Sequence, residues 1–214
     1  MAYKLIFLGS PGAGKGTIAQ KLAEHLQVPH ISTGDIFRSN IKNRTPLGLQ
    51  VESITASGAL VPDELTIALV QDRLQQADAK QGYILDGFPR TIAQAKALDD
   101  LASIDIAVNF VVPQEVVIAR LSGRLTCSNC GRGYHKIDFP PKTPDTCDIC
   151  GHALMTRKDD TMEAIQHRLA VYEKETAPLI QYYQDKNILA NLNSNQNLEN
   201  VFTELLQTLK QANH

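Results

Sequence analysis

The 214-residue chain contains no tryptophan and carries no strong excess of charge of either sign. Its 21 Lys and Arg against 23 Asp and Glu give a net charge of −2, which argues against nucleic-acid binding through a strongly basic surface. No apolar run approaches the length that spans a bilayer, and the N-terminal apolar stretch is too short for a signal peptide. We expect a cytoplasmic protein with no nucleic-acid or membrane partner. Because no long apolar stripe demands a partner, we also expect a monomer.

Cysteine is absent from most of the chain, since all four cysteines lie between residues 127 and 150. Two Cys-x2-Cys pairs, Cys127 with Cys130 and Cys147 with Cys150, offer the four thiolates of a tetrahedral zinc site. Four thiolates leave no open position, so the metal is expected to be structural. Iron fits the same ligands. Two disulfides are an alternative that the cytoplasm disfavours, and balanced charges in the segment disfavour a nucleic-acid-binding zinc ribbon.

A glycine-rich segment over residues 9–17 is the most informative stretch of the chain. It follows an apolar run over residues 4–8, typical of a buried strand, and precedes a helical pattern of apolar residues four apart. A strand, a glycine loop and a helix together form a phosphate-binding loop, in which backbone N–H groups and the helix N-terminus face an anion. Lys15 supplies a charge for the phosphates and Thr17 a hydroxyl near the metal.

The strict phosphate-loop pattern has Ser or Thr directly after the lysine, whereas this chain has Gly16 there. The segment is therefore a variant, and a glycine-rich turn without a ligand is the alternative. The glycines, Pro11, Lys15 and the flanking strand and helix favour binding of a nucleotide with at least two phosphates.

Apolar runs alternate with helical patterns along the chain, which predicts a parallel sheet covered on both faces. The predicted strands are 3–8, 28–32, 83–86, 106–112 and 188–192. The predicted helices are 15–26, 63–77, 91–101, 114–123, 161–185 and 198–212. Two segments break the alternation: residues 33–62, with short helices at 35–42 and 47–57, and the cysteine-rich residues 125–158.

Arginine dominates the remaining candidate chemistry, and no Ser-His-Asp arrangement is present. Arginine suits bidentate phosphate binding, and transfer of phosphate to another phosphate needs no general base. Arg90 closes the segment 85–90, in which a buried strand ends in Asp86 and a glycine turn. Asp86 suits a group that holds magnesium-bound water, although a turn or capping role is the alternative.

Five motifs in the chain make it resemble the adenylate kinase family, in its long form with a zinc-bearing lid. They cover nearly the whole length and are Gly9–Thr17, Ser32–Arg38, Asp86–Thr91, Arg120–Arg124, and Thr156–Asp160 followed by Arg168. The first motif alone indicates only a phosphate-loop protein, but the set is highly specific.

The resemblance implies the reaction MgATP + AMP = 2 ADP. It implies an α/β fold with a three-layer core of the P-loop NTPase type and a five-stranded parallel sheet. The implied core comprises residues 1–31, 62–123 and 162–214. The implied AMP-binding insertion is 32–61, and the implied zinc-bearing lid is 124–161.

The resemblance also implies roles for individual residues. Phosphoryl transfer is assigned to Lys15, Arg38, Arg90, Arg124, Arg157 and Arg168. ATP binding is assigned to Gly12, Ala13, Gly14, Lys15, Gly16, Thr17, Arg120, Arg124 and Tyr134. AMP binding is assigned to Thr33, Arg38, Leu60, Val61, Gly87, Arg90, Gln94, Arg157 and Arg168. Asp86, with Asp159, is assigned to the magnesium shell or the closed lid, and zinc to Cys127, Cys130, Cys147 and Cys150.

Two positions depart from the family pattern. Ala93 stands where a proline commonly precedes the glutamine that contacts AMP, and Ser194 stands where a glycine is usual beside the ATP adenine. Nucleobase selectivity is therefore open, with UMP, CMP or GMP as alternative acceptors. From another class of protein, a phosphate-loop binding protein whose zinc ribbon contacts nucleic acid is the second hypothesis, which the near-neutral charge disfavours.

Overall fold

A computed structural model describes residues 3–211 and has a mixed α/β fold. The strands of the described residues are β1 (Lys4–Leu8), β2 (His30–Ser32), β3 (Tyr83–Asp86), β4 (Ile106–Val111), β5 (Arg124–Cys127), β6 (Gly133–His135), β7 (Leu154–Met155) and β8 (Leu189–Asn193). The α-helices are α1 (Lys15–Leu26), α2 (Thr33–Lys42), α3 (Pro46–Ala56), α4 (Asp63–Leu74), α5 (Ile92–Leu101), α6 (Gln114–Ser122), α7 (Met162–Val171), α8 (Pro178–Asp185) and α9 (Leu198–Gln211).

Five of the described strands form a parallel sheet, as predicted. Their order across the sheet is β2-β3-β1-β4-β8. The central strand β1 alternates its side chains between two cores. Leu5 and Phe7 pack towards α1 and α9, and Ile6 and Leu8 pack towards α4, α5 and α8. Because the strands are parallel, their carboxyl ends meet along one edge, where ligands bind in folds of this kind.

The helical insertion between β2 and β3 consists mainly of α2 and α3, which pack against each other around Phe37 and Val51. Both helices begin at a side-chain cap. The Oγ of Ser32 accepts from the Asp35 amide at 3.2 Å, and the Oγ1 of Thr45 accepts from the Gly48 amide at 3.0 Å. Such caps satisfy amides that the first turn of a helix leaves without partners.

The cysteine segment, residues 124–161, contains the antiparallel strands β6-β5-β7. Its own small core centres on Leu125 and Tyr134 with Cys127 and Cys147, apart from the two cores of the main sheet. So small a core buries little apolar surface, and a metal or disulfides usually stabilise units of this size.

The predicted long helix over 161–185 is divided, and this is the main difference from expectation. A π-helical turn over Tyr172–Thr176 separates α7 from α8, and the Ala177 amide bonds to the carbonyl of Tyr172 at 2.8 Å. Pro178, which has no amide hydrogen, then begins α8.

Other predicted elements differ only at their ends. The helix over 63–77 stops at Leu74, before a 3-10 turn at Ala77–Ala79, and the strand over 28–32 starts at His30. Residue 212 of the last predicted helix lies outside the described residues. Within residues 3–211, no helix combines the length and apolarity that crossing a membrane requires.

Candidate active site

The phosphate loop joins the carboxyl end of β1 to the N-terminus of α1. Most of its residues, together with Arg120, Arg124 and Arg168, line a cleft of about 770 Å³ at the sheet edge. Ser10 and Ala13, the latter predicted to bind ATP, are not among the lining residues. Lys15, the first residue of α1, donates from Nζ to the carbonyl oxygens of Gly9 at 2.7 Å and Ser10 at 2.8 Å. The lysine is therefore held on the loop itself, within reach of any phosphate that the loop binds.

Burial lowers the pKa of Lys15 to about 8. Asp86 opposes this shift, while the positive charges of Arg90, Arg168 and Arg124 add to it. A bound anion would favour the charged amine. Without a ligand, the amine therefore loses its proton more easily than an exposed lysine. A bound phosphate would stabilise the protonated amine and raise its pKa.

Asp86 ends β3 at the same sheet edge, in register with Phe7 of β1 and Ser32 of β2. Its Oδ2 lies 3.3 Å from Nε2 of His30. Burial would raise the pKa of Asp86, but the hydrogen bond from His30 and the charges of Lys15 and Arg90 outweigh burial and lower it. The carboxylate is therefore ionised beside the phosphate loop. The role of His30 as its neighbour escaped the sequence analysis, because nothing in the sequence distinguishes this histidine from the others.

Arginines from four parts of the chain converge on the cleft. Those among its lining residues are Arg38, Arg90, Arg120, Arg124, Arg157 and Arg168. Burial, reinforced by the charges of Arg124 and Arg38, lowers the pKa of Arg157 to about 9, and burial likewise lowers that of Arg168 to about 10. Such shifts mark a concentration of positive charge that anionic ligands would relieve.

Asp160 holds two of these arginines together. Its side chain is fully buried, and it accepts from Nε and Nη2 of Arg124 at 2.8 and 2.5 Å and from Nη1 of Arg168 at 3.2 Å. Asp159 pairs with Arg168 at 2.8 Å. Asp160 lies in the motif Thr156–Asp160, but the sequence analysis gave it no role. Its partner Arg124 is 36 residues away, so no local pattern indicates the pairing.

Six of the nine predicted acceptor residues line the cleft: Arg38, Leu60, Gly87, Arg90, Arg157 and Arg168. Thr33, Val61 and Gln94 are not among its lining residues. Thr33 donates to the carbonyl of Gly87 at 2.8 Å, as does Nε of Arg90 at 3.0 Å. Leu60 lines the cleft, whereas the side chain of Val61 is buried in the small core of the helical insertion.

Gln94 is buried, and both its side-chain oxygen and its side-chain nitrogen form a hydrogen bond within the protein. Its oxygen accepts from the Arg90 amide at 2.7 Å, and its nitrogen donates to Asp63 at 2.7 Å. The residue predicted to contact the adenine of AMP therefore holds Arg90 in place in this structure. The Oγ1 of Thr176, in the π-helical turn, donates to the Arg90 carbonyl at 2.8 Å from the other side.

On the opposite side of the cleft, Nη2 of Arg120 donates to the carbonyl of Ser194 at 2.9 Å. Tyr134 also lines the cleft, but its hydroxyl points into the cysteine segment, 3.4 Å from Sγ of Cys147 and 2.8 Å from the Asp148 amide. Any contact of Tyr134 with a nucleotide is thereby restricted to its backbone or ring.

The four cysteine Sγ atoms lie within 4.8 Å of one another. The closest pairs, Cys127 with Cys150 at 3.4 Å and Cys130 with Cys147 at 3.7 Å, are too long for disulfides and near the roughly 3.8 Å edge of a tetrahedral zinc-thiolate site. Gly131 and Gly151 follow the two pairs with positive φ angles of 75° and 71°, which lets each knuckle turn tightly. The residues fit a structural zinc ion.

The fold and the cleft define a phosphate-loop protein that binds nucleotides. The family model for adenylate kinase matches residues 7–188. An adenylate kinase of Clostridium tetani is 49% identical over 214 residues, covering 98% of this chain and 99% of the relative. One of Treponema denticola is 53% identical over 189 residues, covering 88% and 90%. One of Clostridium botulinum is 47% identical over 211 residues, covering 96% and 98%.

The chain belongs to the adenylate kinase family. It is accordingly an enzyme, a nucleoside monophosphate kinase.

Proposed function

We propose that the enzyme transfers a phosphoryl group reversibly from MgATP to AMP and yields two molecules of ADP. The observation that carries the proposal is the convergence of Lys15 and six arginines on one cleft beside a phosphate loop. These seven cations outnumber the three carboxylates that line the cleft, those of Asp35, Asp86 and Asp138, so the cleft suits several phosphate groups at once. A nucleoside triphosphate and a monophosphate supply that charge.

The donor ATP occupies the side of the phosphate loop. Its phosphates replace the carbonyls of Gly9 and Ser10 as partners of Lys15, and the N-terminus of α1 faces them. Gly12, Ala13, Gly14, Gly16 and Thr17 complete this half. The ATP base lies towards Arg120 and the backbone at Tyr134, which line the same cleft.

The acceptor AMP occupies the side of the helical insertion. Arg38 and Arg90 bind its phosphate, and Thr33 and the backbone at Leu60, Val61 and Gly87 enclose the nucleoside. The Gln94 amide contacts the adenine edge of AMP with the second N–H and the second oxygen lone pair, which its bonds to Asp63 and the Arg90 amide do not use. A base that does not present a matching acceptor and donor gains fewer hydrogen bonds there, which favours AMP over other monophosphates.

The chemistry needs positioning and charge but no general base. A phosphate monoester has its second pKa near roughly 6, so the acceptor oxygen is already ionised at neutral pH. That oxygen forms the new bond to the γ-phosphorus as the bond to the β,γ-bridging oxygen breaks, and ADP leaves with the electron pair. Lys15, Arg124, Arg157 and Arg168 stabilise the charge on the transferred group.

Magnesium would enter with ATP and would neutralise part of the phosphate charge. Asp86, ionised at the end of β3, would hold water ligands of that ion. The four cysteines hold zinc and stabilise the cysteine segment, which acts as a lid that excludes water when both substrates are bound.

Division into a core, a helical insertion and a lid at the predicted bounds is part of this proposal. A cytoplasmic location, a monomeric state and a role in adenine nucleotide homeostasis stay predictions.

Phosphorus NMR tests the function directly. The enzyme is mixed with MgATP and, in turn, AMP, GMP, CMP and UMP, with Lys15→Ala as the inactive variant and Lys21→Ala as its control. Lys21 lies on the same helix but pairs with Glu199 away from the cleft. ADP formed only from ATP plus AMP, and lost in Lys15→Ala alone, supports the proposal. Inorganic phosphate released without any monophosphate would instead identify an ATPase.

A further inference from the structure

Ser194 follows β8 and is buried, with 3% of its surface exposed, at the donor end of the cleft. It occupies the position where the family pattern has glycine, so its side chain is a departure without an assigned role. Burial of a hydroxyl is unfavourable unless it finds a hydrogen-bond partner.

The structure supplies partners for all three polar groups of Ser194. Its Oγ donates to the carbonyl of Ala13 in the phosphate loop at 2.5 Å. Its amide donates to the carbonyl of Val111 at the end of β4 at 2.8 Å, and its carbonyl accepts from Arg120 at 2.9 Å. One residue therefore joins the phosphate loop, the end of β4 and the arginine predicted at the ATP base.

The segment around Ser194 is also fixed on its outer side. Gln196 donates to Glu204 of α9 at 2.6 Å and to the carbonyl of Asn193 at 2.9 Å. The hydroxyl of Ser194 also lies near Gly14. A β-carbon built on Gly14 would lie 3.6 Å from Oγ of Ser194, which is an ordinary van der Waals distance. The serine thus fits against the phosphate loop without displacing it.

We infer that Ser194 is a positioning residue for the donor nucleotide, which fixes the phosphate loop and Arg120 relative to each other. Its polar groups are occupied by protein atoms, so it acts through those two elements. None of its hydrogen bonds reaches Arg38, Arg90 or Thr33 on the acceptor side. The effect of Ser194 is therefore confined to ATP. The inference rests on the proposed function.

Two variants test the inference. Ser194→Ala removes the hydroxyl alone and leaves the Ala13 carbonyl without that donor, and Ser194→Gly installs the residue usual in the family. Thr203→Ala is the control, since it removes an exposed hydroxyl bonded to the Glu199 carbonyl on α9, away from the cleft.

Steady-state kinetics with each substrate varied, and calorimetric titration with a non-hydrolysable MgATP analogue, give the readouts. We expect the KM for MgATP and the Kd for the analogue to rise about 3- to 10-fold in both variants, the range for one lost hydrogen bond. The KM for AMP and kcat should stay within about 2-fold.

An equal rise in both KM values, or a lower melting temperature with unchanged KM, would show a merely structural role and overturn the inference. Failure of the wild type to form ADP from ATP and AMP would instead overturn the proposed function.

Discussion

A β-carbon on Gly16 would lie 3.3 Å from Oδ2 of Asp86, tighter than nine in ten such contacts in proteins. The same oxygen lies 3.3 Å from Nε2 of His30. A side chain after Lys15 would therefore press on this carboxylate, which would have to move by a few tenths of an ångström. The contact gives a physical reason for glycine at the position where the strict phosphate-loop pattern has Ser or Thr.

Gly16→Ser would restore the strict pattern and yet should impair the enzyme. The new side chain displaces Asp86 from the phosphate loop, and we expect kcat/KM to fall about 10-fold or more. A coupled assay for ADP measures the change. Glu24→Ala, on the exposed face of the same helix, is the control and should leave the rate unaltered. A Gly16→Ser enzyme as active as the wild type would contradict the placement of Asp86.

Lys15→Met should abolish activity and stabilise the fold without nucleotide. The pKa of Lys15 is about 8 in the folded protein against 10.5 for an unperturbed lysine, so burial of the charged amine opposes folding at pH 7. Urea unfolding at pH 7 should show a gain of about 1 to 3 kcal/mol, after allowance for the lost hydrogen bonds. The gain should shrink as pH rises from 8 to 10.5, because the wild-type amine is then neutral when folded.

The same pKa predicts a falling limb in the pH profile. Above pH 8 the free enzyme loses the charge on Lys15, so kcat/KM for MgATP should decline with an apparent pKa near 8. An arginine at this position has a higher intrinsic pKa than lysine, so Lys15→Arg should stay charged near pH 8 and lack the limb there, whatever its overall rate. Persistence of the limb in Lys15→Arg would assign it to another group.

Removal of the metal should loosen the cysteine segment and spare the main sheet. The segment has only a small core of its own, and four thiolates in tetrahedral range suit zinc. Elemental analysis should give one zinc per chain, and a chelator should lower the melting temperature and the activity. Cys130→Ser should reproduce the loss, with Ser128→Ala as the control. An unchanged melting curve after verified metal loss would rule out a stabilising role, and iron in the analysis would correct the metal.

Asp160→Ala should be much more damaging than loss of an exposed ion pair. The substitution removes the fully buried carboxylate that pairs with both Arg124 and Arg168. Because the two guanidinium groups then lack this partner, we expect the free energy of unfolding to fall by about 3 kcal/mol. Glu52→Ala breaks the exposed pair with Lys158 at 3.2 Å and should cost less than about 1 kcal/mol. Urea denaturation of both variants compares them, and equal effects would refute the argument from burial.

Local patterns in the sequence were enough to predict most of the fold. The alternation of apolar runs located all five strands of the parallel sheet, and the glycine loop located α1. The π-helical turn at Tyr172–Thr176 was missed, because the apolar spacing on both sides of it is helical. The turn is distinguished by backbone hydrogen bonds five residues apart, such as that from Ala177 to Tyr172, and the sequence does not contain them.

The candidate site was harder to predict from the sequence, because its most important contacts join residues that are far apart in the chain. Arginine content indicated phosphate chemistry, but the pairing of Asp160 with Arg124 spans 36 residues and follows from no spacing rule. Gln94 was assigned to a ligand, and its bonds to Asp63 and the Arg90 amide depend on how α4 and α5 pack. Burial and packing, which a sequence pattern does not contain, decide such partners.

The ion pair between Arg124 and Asp160 also joins the two ends of the cysteine segment. The two ends of the cysteine segment therefore join the rest of the protein at one place. Such a segment can be lengthened, shortened or exchanged during evolution without changing the path of the strands in the main sheet. Recombination between genes could therefore replace a metal-binding segment by one that is stabilised by hydrogen bonds and apolar packing alone. An organism starved of zinc would then gain independence from the metal through a single exchange.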